Sequence, residues 1–308
     1  MIAAGLHAAG ARSRQVGLAV DMAIDMAIDL DANEPFLDDH RPGGQPLLGT
    51  AMGIELMSRA VRRMTAGNAA VPHAARHVAV LAPLILRGER ATVHVRATRQ
   101  VGSEGSFFLC VLESRPDGAA TIPHFEATFL EATFFDPDCR RPAAALPSGM
   151  ALDAEPSARS ADVYALLFHG PAFRVVRSAS LAGGGMLCDW QPDLPAWTHA
   201  PPDAAMPDPR WTELCLQAAG LLEIATTQRM LIPHRIASVL HGPPAGRQPP
   251  RRMFAYAKRA TSGEAIDIDL VDQDRQPLLR VSGYETVPLP FASSSAALQA
   301  LARLFSAQ

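Results

Sequence analysis

Apolar residues along this chain recur with two different periods, and the switches between them outline its elements. Over residues 50–64, Ala51, Met52, Ile54, Leu56, Met57, Ala60, Val61 and Met64 leave little polar surface. That pattern predicts a helix wrapped on most sides by other structure, with Thr50 as its cap. Strand-like runs follow at 75–86, 90–99, 107–114 and 124–134. In the second of these, Arg90-Ala91-Thr92-Val93-His94-Val95-Arg96 alternates with period two, so one face is solvated and His94 lies on it. Upstream, the stretch 16–30 is apolar with Asp21, Asp25 and Asp29 spaced through it. It fits either a strand or a helix, and strand is the reading adopted. Residues 1–14 are small, rich in Ala and Gly, and expected to be disordered.

A break at 136–160 carries Pro137, Pro142, Pro147 and Pro156 with a run of alanines, the composition of a linker. The same order of elements then returns: a strand and turn around Gly170, a long helix from about Trp211 to Arg229, and further strands parted by a Pro-rich loop at 242–250. Ser293-Ser294-Ser295 ahead of Leu298, Leu301, Leu304 and Phe305 predicts a capped amphipathic tail helix that packs on the body. Strand, loop, buried helix and antiparallel strands, made twice, fit an α+β fold in which each helix packs into a curved antiparallel sheet.

With 308 residues and 48% hydrophobic content, the chain can bury a large core in one or two domains. A net charge of −3 argues against a general nucleic-acid binder. Positive charge is nearly all arginine, Lys258 being the only lysine. The pairs Arg62-Arg63, Arg140-Arg141 and Arg251-Arg252 could meet an acidic partner, although scattered pairs read first as solvated surface. Cys110, Cys139, Cys188 and Cys215 have no metal-ligand spacing; Cys110 and Cys215 sit in apolar runs as small core residues, a pattern that fits a reducing cytoplasm. The aspartates at 21, 25 and 29 exclude a signal sequence or a membrane span there.

Two places carry candidate chemistry. The first is Leu37-Asp38-Asp39-His40-Arg41-Pro42-Gly43-Gly44, a histidine in a glycine-bearing turn just ahead of the first buried helix. Delivered to the mouth of an apolar channel, such a histidine is poised to remove a proton. The second is Glu213 and Gln217, four apart and so on one face of the apolar second helix. A carboxyl on that face is expected to have a raised pKa and to act as an acid. On spacing alone the plainer reading comes first: a Glu and a Gln facing solvent near a helix start, where the dipole favours a carboxylate. Glu55, in the first helix, reads as a buried hydrogen-bonded anchor and as the carboxylate to substitute should Glu213 face solvent. Tyr164 and Phe173 are expected to close the core near the channel. His169 either lines that channel or is a satisfied turn residue. His73, His77, His124, His199 and His241 lie in loops or strand edges without ligand spacing.

The segment DHRPGGQPLLGTAMGIEL resembles the first active-site motif of the polyketide synthase dehydratase family, a His, three residues, Gly, four residues and Pro; His40 and Gly44 match, and Gly49 stands where the Pro would be. ELCLQ is similar to the second motif, with Gln217 matching and Glu213 in the place of Asp. Phe168-His169-Gly170-Pro171-Ala172-Phe173 resembles the family's Tyr-Gly-Pro-x-Phe, with His169 for the Tyr. Leu231-Ile232-Pro233-His234 and the endings around Ile266–Asp272 and Ser282-Gly283-Tyr284 are similar to its later segments. Order and spacing extend over nearly the whole chain.

The resemblance implies a double hotdog, two curved antiparallel sheets each wrapping a long central helix. Its expected parts are a first hotdog at 15–140, a linker at 141–160, a second hotdog at 161–290 and a tail helix at 291–308. It implies a hydro-lyase that removes water from a 3-hydroxyacyl thioester carried on the phosphopantetheine arm of an acyl carrier protein. His40 would be the base, Glu213 would hold a proton for the hydroxyl, and Gln217 would anchor that carboxyl or the leaving oxygen. N–H groups near Gly49 and Thr50 would receive the thioester oxygen. Gly44, His169, Gly170, Pro171 and Phe173 would complete the substrate's surroundings. Other polyketide synthase components are the expected partners, with no cofactor, metal, nucleic acid or membrane; a cytoplasmic location is implied, a homodimer is left open, and Met1 favours a free-standing chain. Glu for Asp lengthens the acid by about 1.5 Å, and a misplacement of about 1 Å can cost roughly a hundredfold in rate. Competing readings are a non-catalytic acyl-binding or scaffolding module, and a double-bond isomerase or cyclase of the same fold.

Overall fold

A computed structural model describes residues 19–65, 74–102, 105–130, 146–195, 208–242, 250, 252–261, 263–288 and 295–306. The expectations for residues 1–14, His73, Pro137, Cys139, Arg140-Arg141, Pro142, His199, the loop at 243–249, Arg251 and Ser293-Ser294 lie outside them.

The aspartates at 21–29 settle the first element as strand β1 (Ala19–Asp31). Ile24, Met26 and Ile28 pack toward the core and Leu30 is buried, while Asp25 and Asp29 face outward. The outward aspartates find cross-strand partners on β3 (Arg90–Gly102): Thr92 donates to Asp29 at 2.7 Å, and the His94 ring stands 3.3 Å from Asp25. Alternation therefore sets both the face and the register. β4 (Gly105–Ser114) and β5 (Ile122–Leu130) continue the sheet, turning Phe108, Cys110, Leu112, Phe125, Ala127 and Phe129 inward. Helix α2 (Thr50–Met64) lies in their curve, following the short helix α1 (Pro35–Asp38). Its cap is Gly49, with no side-chain bond, so Thr50 is the first helical residue rather than the cap.

In the second half, after the short helix α3 (Ser160–Tyr164), β7 (Val176–Ala182), β8 (Gly185–Trp190), β10 (Met253–Arg259), β11 (Ile266–Asp272) and β12 (Pro277–Pro288) curve around α4 (Pro209–Thr227). Asp208 caps α4 by accepting from the Arg210 N–H, and Pro209 opens it with a φ already suited to a helix. The tail helix α5 (Ser295–Ser306) packs against α4, burying Leu298, Leu301, Ala302 and Phe305 and leaving Leu304 exposed.

The two sheets expected from the sequence are continuous. β2 (Ala74–Val80) pairs with β9 (Leu231–His241), Ala75 opposite Val239 and Val78 opposite Ile236. The described strands thus form one twelve-stranded antiparallel sheet, ending in the two-residue β6 (Ala158–Arg159) beyond β7. Neither half leaves an unpaired edge at the join, which disposes of the edge-strand liability there. Cys110, Cys188 and Cys215 are buried free thiols. Among the described residues no helix is long and apolar enough to cross a membrane.

Candidate active site

His40 follows α1 directly and precedes a tight turn at Pro42–Gly44, where Gly43 and Gly44 take φ of 65° and 82°. Only glycine adopts those angles without strain. The reversal brings Leu47 back onto His40: the Leu47 N–H donates to the His40 carbonyl at 3.0 Å, and His40 Nδ1 donates to the Leu47 carbonyl at 2.7 Å. A carbonyl can only accept, so Nδ1 carries the ring proton and Nε2 keeps its lone pair. A Cβ on Gly49 would come within 3.3 Å of that Nε2, so the bare glycine keeps the basic nitrogen uncrowded. Burial, with the nearby His169 ring, lowers the His40 pKa to about 4 against the opposing pull of Glu213 and the Leu47 bond. His40 is a neutral base at pH 7.

Glu213 and Gln217 face inward from α4, and both are buried. The Gln217 amide is held at both ends: Nε2 donates to the Phe173 carbonyl and to Glu213 Oε1, each at 3.0 Å, and Oε1 accepts from the Tyr164 hydroxyl at 2.7 Å. Both Nε2 hydrogens are committed, one of them to the carboxyl, while Oε1 keeps a second lone pair and Gln217 borders the cavity. His169 Nε2 stands 3.2 Å from the same Glu213 Oε1. The raised pKa expected for Glu213 is corrected by this neighbour. Burial does push the carboxyl up, but the His169 bond and charge, His40 and the Gln217 amide outweigh it and hold it below the usual carboxylate range. His169 thus lines the channel, as one of the two expectations has it, and is also the partner of Glu213; among the described residues its buried Nδ1 has no hydrogen-bond partner.

The two halves meet through backbone. His40 and His169 form an isolated antiparallel bridge, their rings 5.3 Å apart between centroids. Phe168 stacks on His169 at 4.4 Å and meets the His40 ring edge-on at 5.1 Å. Beside the bridge, the Gly170 N–H donates to the Asp39 carbonyl at 2.8 Å and the Ala172 N–H donates to Asp39 Oδ2 at 2.6 Å.

A cavity of about 420 Å³ opens between the halves, and His40, Gly49, Thr50, His169, Glu213 and Gln217 all border it. Most of the remaining wall is apolar, including Leu48, Phe125, Phe168, Leu216, Ile232 and Val287. Gly44, Gly170, Pro171 and Phe173 do not line it: Gly44 shapes the turn, and the other three build the segment that supports His169 and Gln217. Glu55 lies away from it, buried against Arg59 and Ser58. A larger hollow of about 530 Å³ elsewhere holds none of these groups. Its charges are paired with one another, Arg159 with Glu155, Arg177 with Asp189, and Arg252 with Asp153 and Asp189. Among the described residues no cluster of His, Cys, Asp and Glu could hold a metal ion.

Sequence reasoning missed the His169–Glu213 contact and the place of Asp39. The signals were a titratable ring where the motif has a tyrosine, and a second carboxylate adjoining His40.

Two family profiles match the chain. One, described as polyketide synthase dehydratase N-terminal domain, covers residues 145–296; the other, described as polyketide synthase dehydratase domain, covers residues 14–110. No curated protein matches significantly in sequence. Among solved structures, a trans-AT polyketide synthase dehydratase domain from Brevibacillus brevis is similar at a TM-score of 0.68 and 18% identity, over 87% of this chain and 94% of that one. The dehydratase domain from the CurF module of the curacin polyketide synthase is similar at 0.67 and 16%, over 91% and 98%. The dehydratase domain of PpsC from Mycobacterium tuberculosis, in complex with C12:1-CoA, is similar at 0.66 and 21%, over 88% and 97%.

Proposed function

Because the chain belongs to the polyketide synthase dehydratase family, we propose that it removes water from a 3-hydroxyacyl thioester borne by an acyl carrier protein, leaving an enoyl thioester. One observation carries the reading: a neutral histidine from the first half and a carboxyl from the second border the same apolar cavity. The acyl-CoA in the solved PpsC domain supports a thioester guest of this class.

The thioester carbonyl sits at the uncapped start of α2, where first-turn N–H groups have no partner within the helix. His40 Nε2 takes the proton beside that carbonyl, and the C–H electron pair becomes the new double bond. The C–O bond at the next carbon breaks, and its oxygen leaves as water on a proton from the His169–Glu213 pair. Both protein bonds to the carboxyl land on Oε1, so Oε2 meets the hydroxyl, and the carboxyl, ionised at rest, must take up its proton there before the C–O bond breaks. A buried carboxylate without a partner would be costly, and His169 at 3.2 Å supplies one. Return of the proton from His40 to the pair closes the cycle. Acid and base each contribute on the order of 10²–10⁴ in rate. The chemistry calls for no cofactor.

Incubation with a 3-hydroxyacyl pantetheine thioester tests the proposal through the rise of enoyl absorbance. Tight binding without enoyl formation would instead mark an acyl-binding module, and a shifted double bond an isomerase.

Chain length has its own expected determinant. Gly220 lies on α4 beyond Gln217 and borders the cavity, and a Cβ added there would meet nothing within 4 Å. A mid-helix glycine costs about 1 kcal/mol relative to alanine, so the space is maintained against helix propensity. Gly220→Leu is expected to spare a four-carbon substrate and to lower kcat/KM for a ten-carbon one by about tenfold or more, the equivalent of about 1.4 kcal/mol. Equal turnover of both lengths in the variant would reject this role.

A further inference from the structure

We propose that Asp39 is a positioning residue, latching the loop that carries His40 to the segment that carries His169 and so setting the separation between base and acid. Its catalytic consequence rests on the dehydratase reading above; its geometry stands independently. The Asp39 carbonyl accepts from the Gly170 N–H at 2.8 Å, and its carboxylate Oδ2 accepts from the Ala172 N–H at 2.6 Å. Ala172 lies in the 3-10 turn Pro171–Phe173, which has no side-chain cap from within its own segment. A carboxylate from the other half of the chain supplies a charge-assisted one.

The fit is steric as well. A Cβ on Gly170 would fall 2.1 Å from Asp39 Oδ1, so the absence of a side chain at 170 is what admits the carboxylate. One residue on from Asp39 is His40, one residue back from Gly170 is His169, and these two form the bridge between the halves. The latch also reaches the acid. Phe173, at the end of the capped turn, accepts through its carbonyl from Gln217 Nε2, which donates in turn to Glu213 Oε1. A connected path therefore runs from Asp39 through the turn and Gln217 to Glu213, while the base is the next residue in the chain. Loosening its first member shifts both reacting groups relative to each other without removing either.

The test compares Asp39→Ala, Asp39→Asn, Gly170→Ala and the Asp39→Ala/Gly170→Ala pair on the full chain with a 3-hydroxyacyl pantetheine thioester. Asp39→Ala is expected to lower kcat by roughly tenfold to a hundredfold, the scale of a misplacement near 1 Å. KM should stay within about twofold, because the cavity that binds the acyl chain is untouched. Asn keeps an oxygen for Ala172 and should recover most of the loss. Gly170→Ala should be as harmful as Asp39→Ala or worse, and its penalty should shrink without vanishing once Asp39 has become alanine, because the contacts at 2.1 and 2.5 Å go while the Cβ contact at 2.8 Å stays. Wild-type kcat in Asp39→Ala, or a Gly170→Ala penalty of the same size with and without Asp39, overturns the proposal. If the wild type eliminates no water, the dehydratase reading fails on its own. The latch is then judged by thermal unfolding: Gly170→Ala must lower Tm more when Asp39 is present than when it is alanine.

Discussion

Replacing His40 by alanine is expected to lower enoyl formation by roughly a thousandfold, within the range a general base supplies. The fold should survive, since the loss is one ring and one hydrogen bond to Leu47 in a loop held separately by the Leu47-to-His40 backbone bond. Progress curves followed at the enoyl absorbance give the rate, and wild-type turnover in the variant would remove His40 from the mechanism. The wild type also has a predictable pH dependence. Its base is neutral above a pKa of about 4, so the histidine limb of kcat/KM should fall away only below that pH and not near 6.5. Stability has the same origin with a wider window. The unfolded chain binds a proton near the ordinary histidine value of 6.5, whereas the folded chain resists it down to about 4. Stability contributed by the neutral ring is complete above pH 6.5 and is lost as pH falls toward 4, by roughly 3 kcal/mol for this group. Denaturant titrations across that window should show a shallower pH slope in His40→Ala than in the wild type.

Glu213→Gln should cost a similar factor, roughly 10² to 10³, by the opposite route. The amide fills the same volume and can still accept from His169, so packing and substrate affinity are retained. What disappears is the oxygen that exchanges a proton with the hydroxyl. A fall in kcat with KM nearly constant is therefore expected, the signature of an interaction made in the transition state. Glu213→Asp retracts the carboxyl by about 1.5 Å, drawing it away from His169 Nε2, and should lie between the two. If Glu213→Gln turns over like the wild type, the carboxyl is not the proton's source and the His169–Glu213 pair has another purpose.

Much of this was legible in the chain before any coordinates. The extent of α2 follows from its apolar residues, and the aspartates of β1 match the outward positions of a period-two strand. Resemblance to the family's motifs is what singles out His40, Glu213 and Gln217; spacing alone leaves Glu213 and Gln217 facing solvent. Three features were not legible, each because it depends on a contact between distant segments. Threonine is a good capping residue, so the sequence favours Thr50, yet the cap is Gly49, where a Cβ would press to 3.3 Å from the His40 ring. The carboxyl of Glu213 was expected to rise because its own helix is apolar; its ionisation is governed by His169, on a different segment. Two sheets were expected because each half has a complete set of elements, and nothing within either half announces that β2 and β9 pair.

That pairing also shapes the cavity. Val80, ending β2, and Ile232 and Pro233, in β9, all border it, so it follows the seam where the halves are stitched together. Separating the halves would strip away one wall of the tunnel as well as one of its two reactive groups.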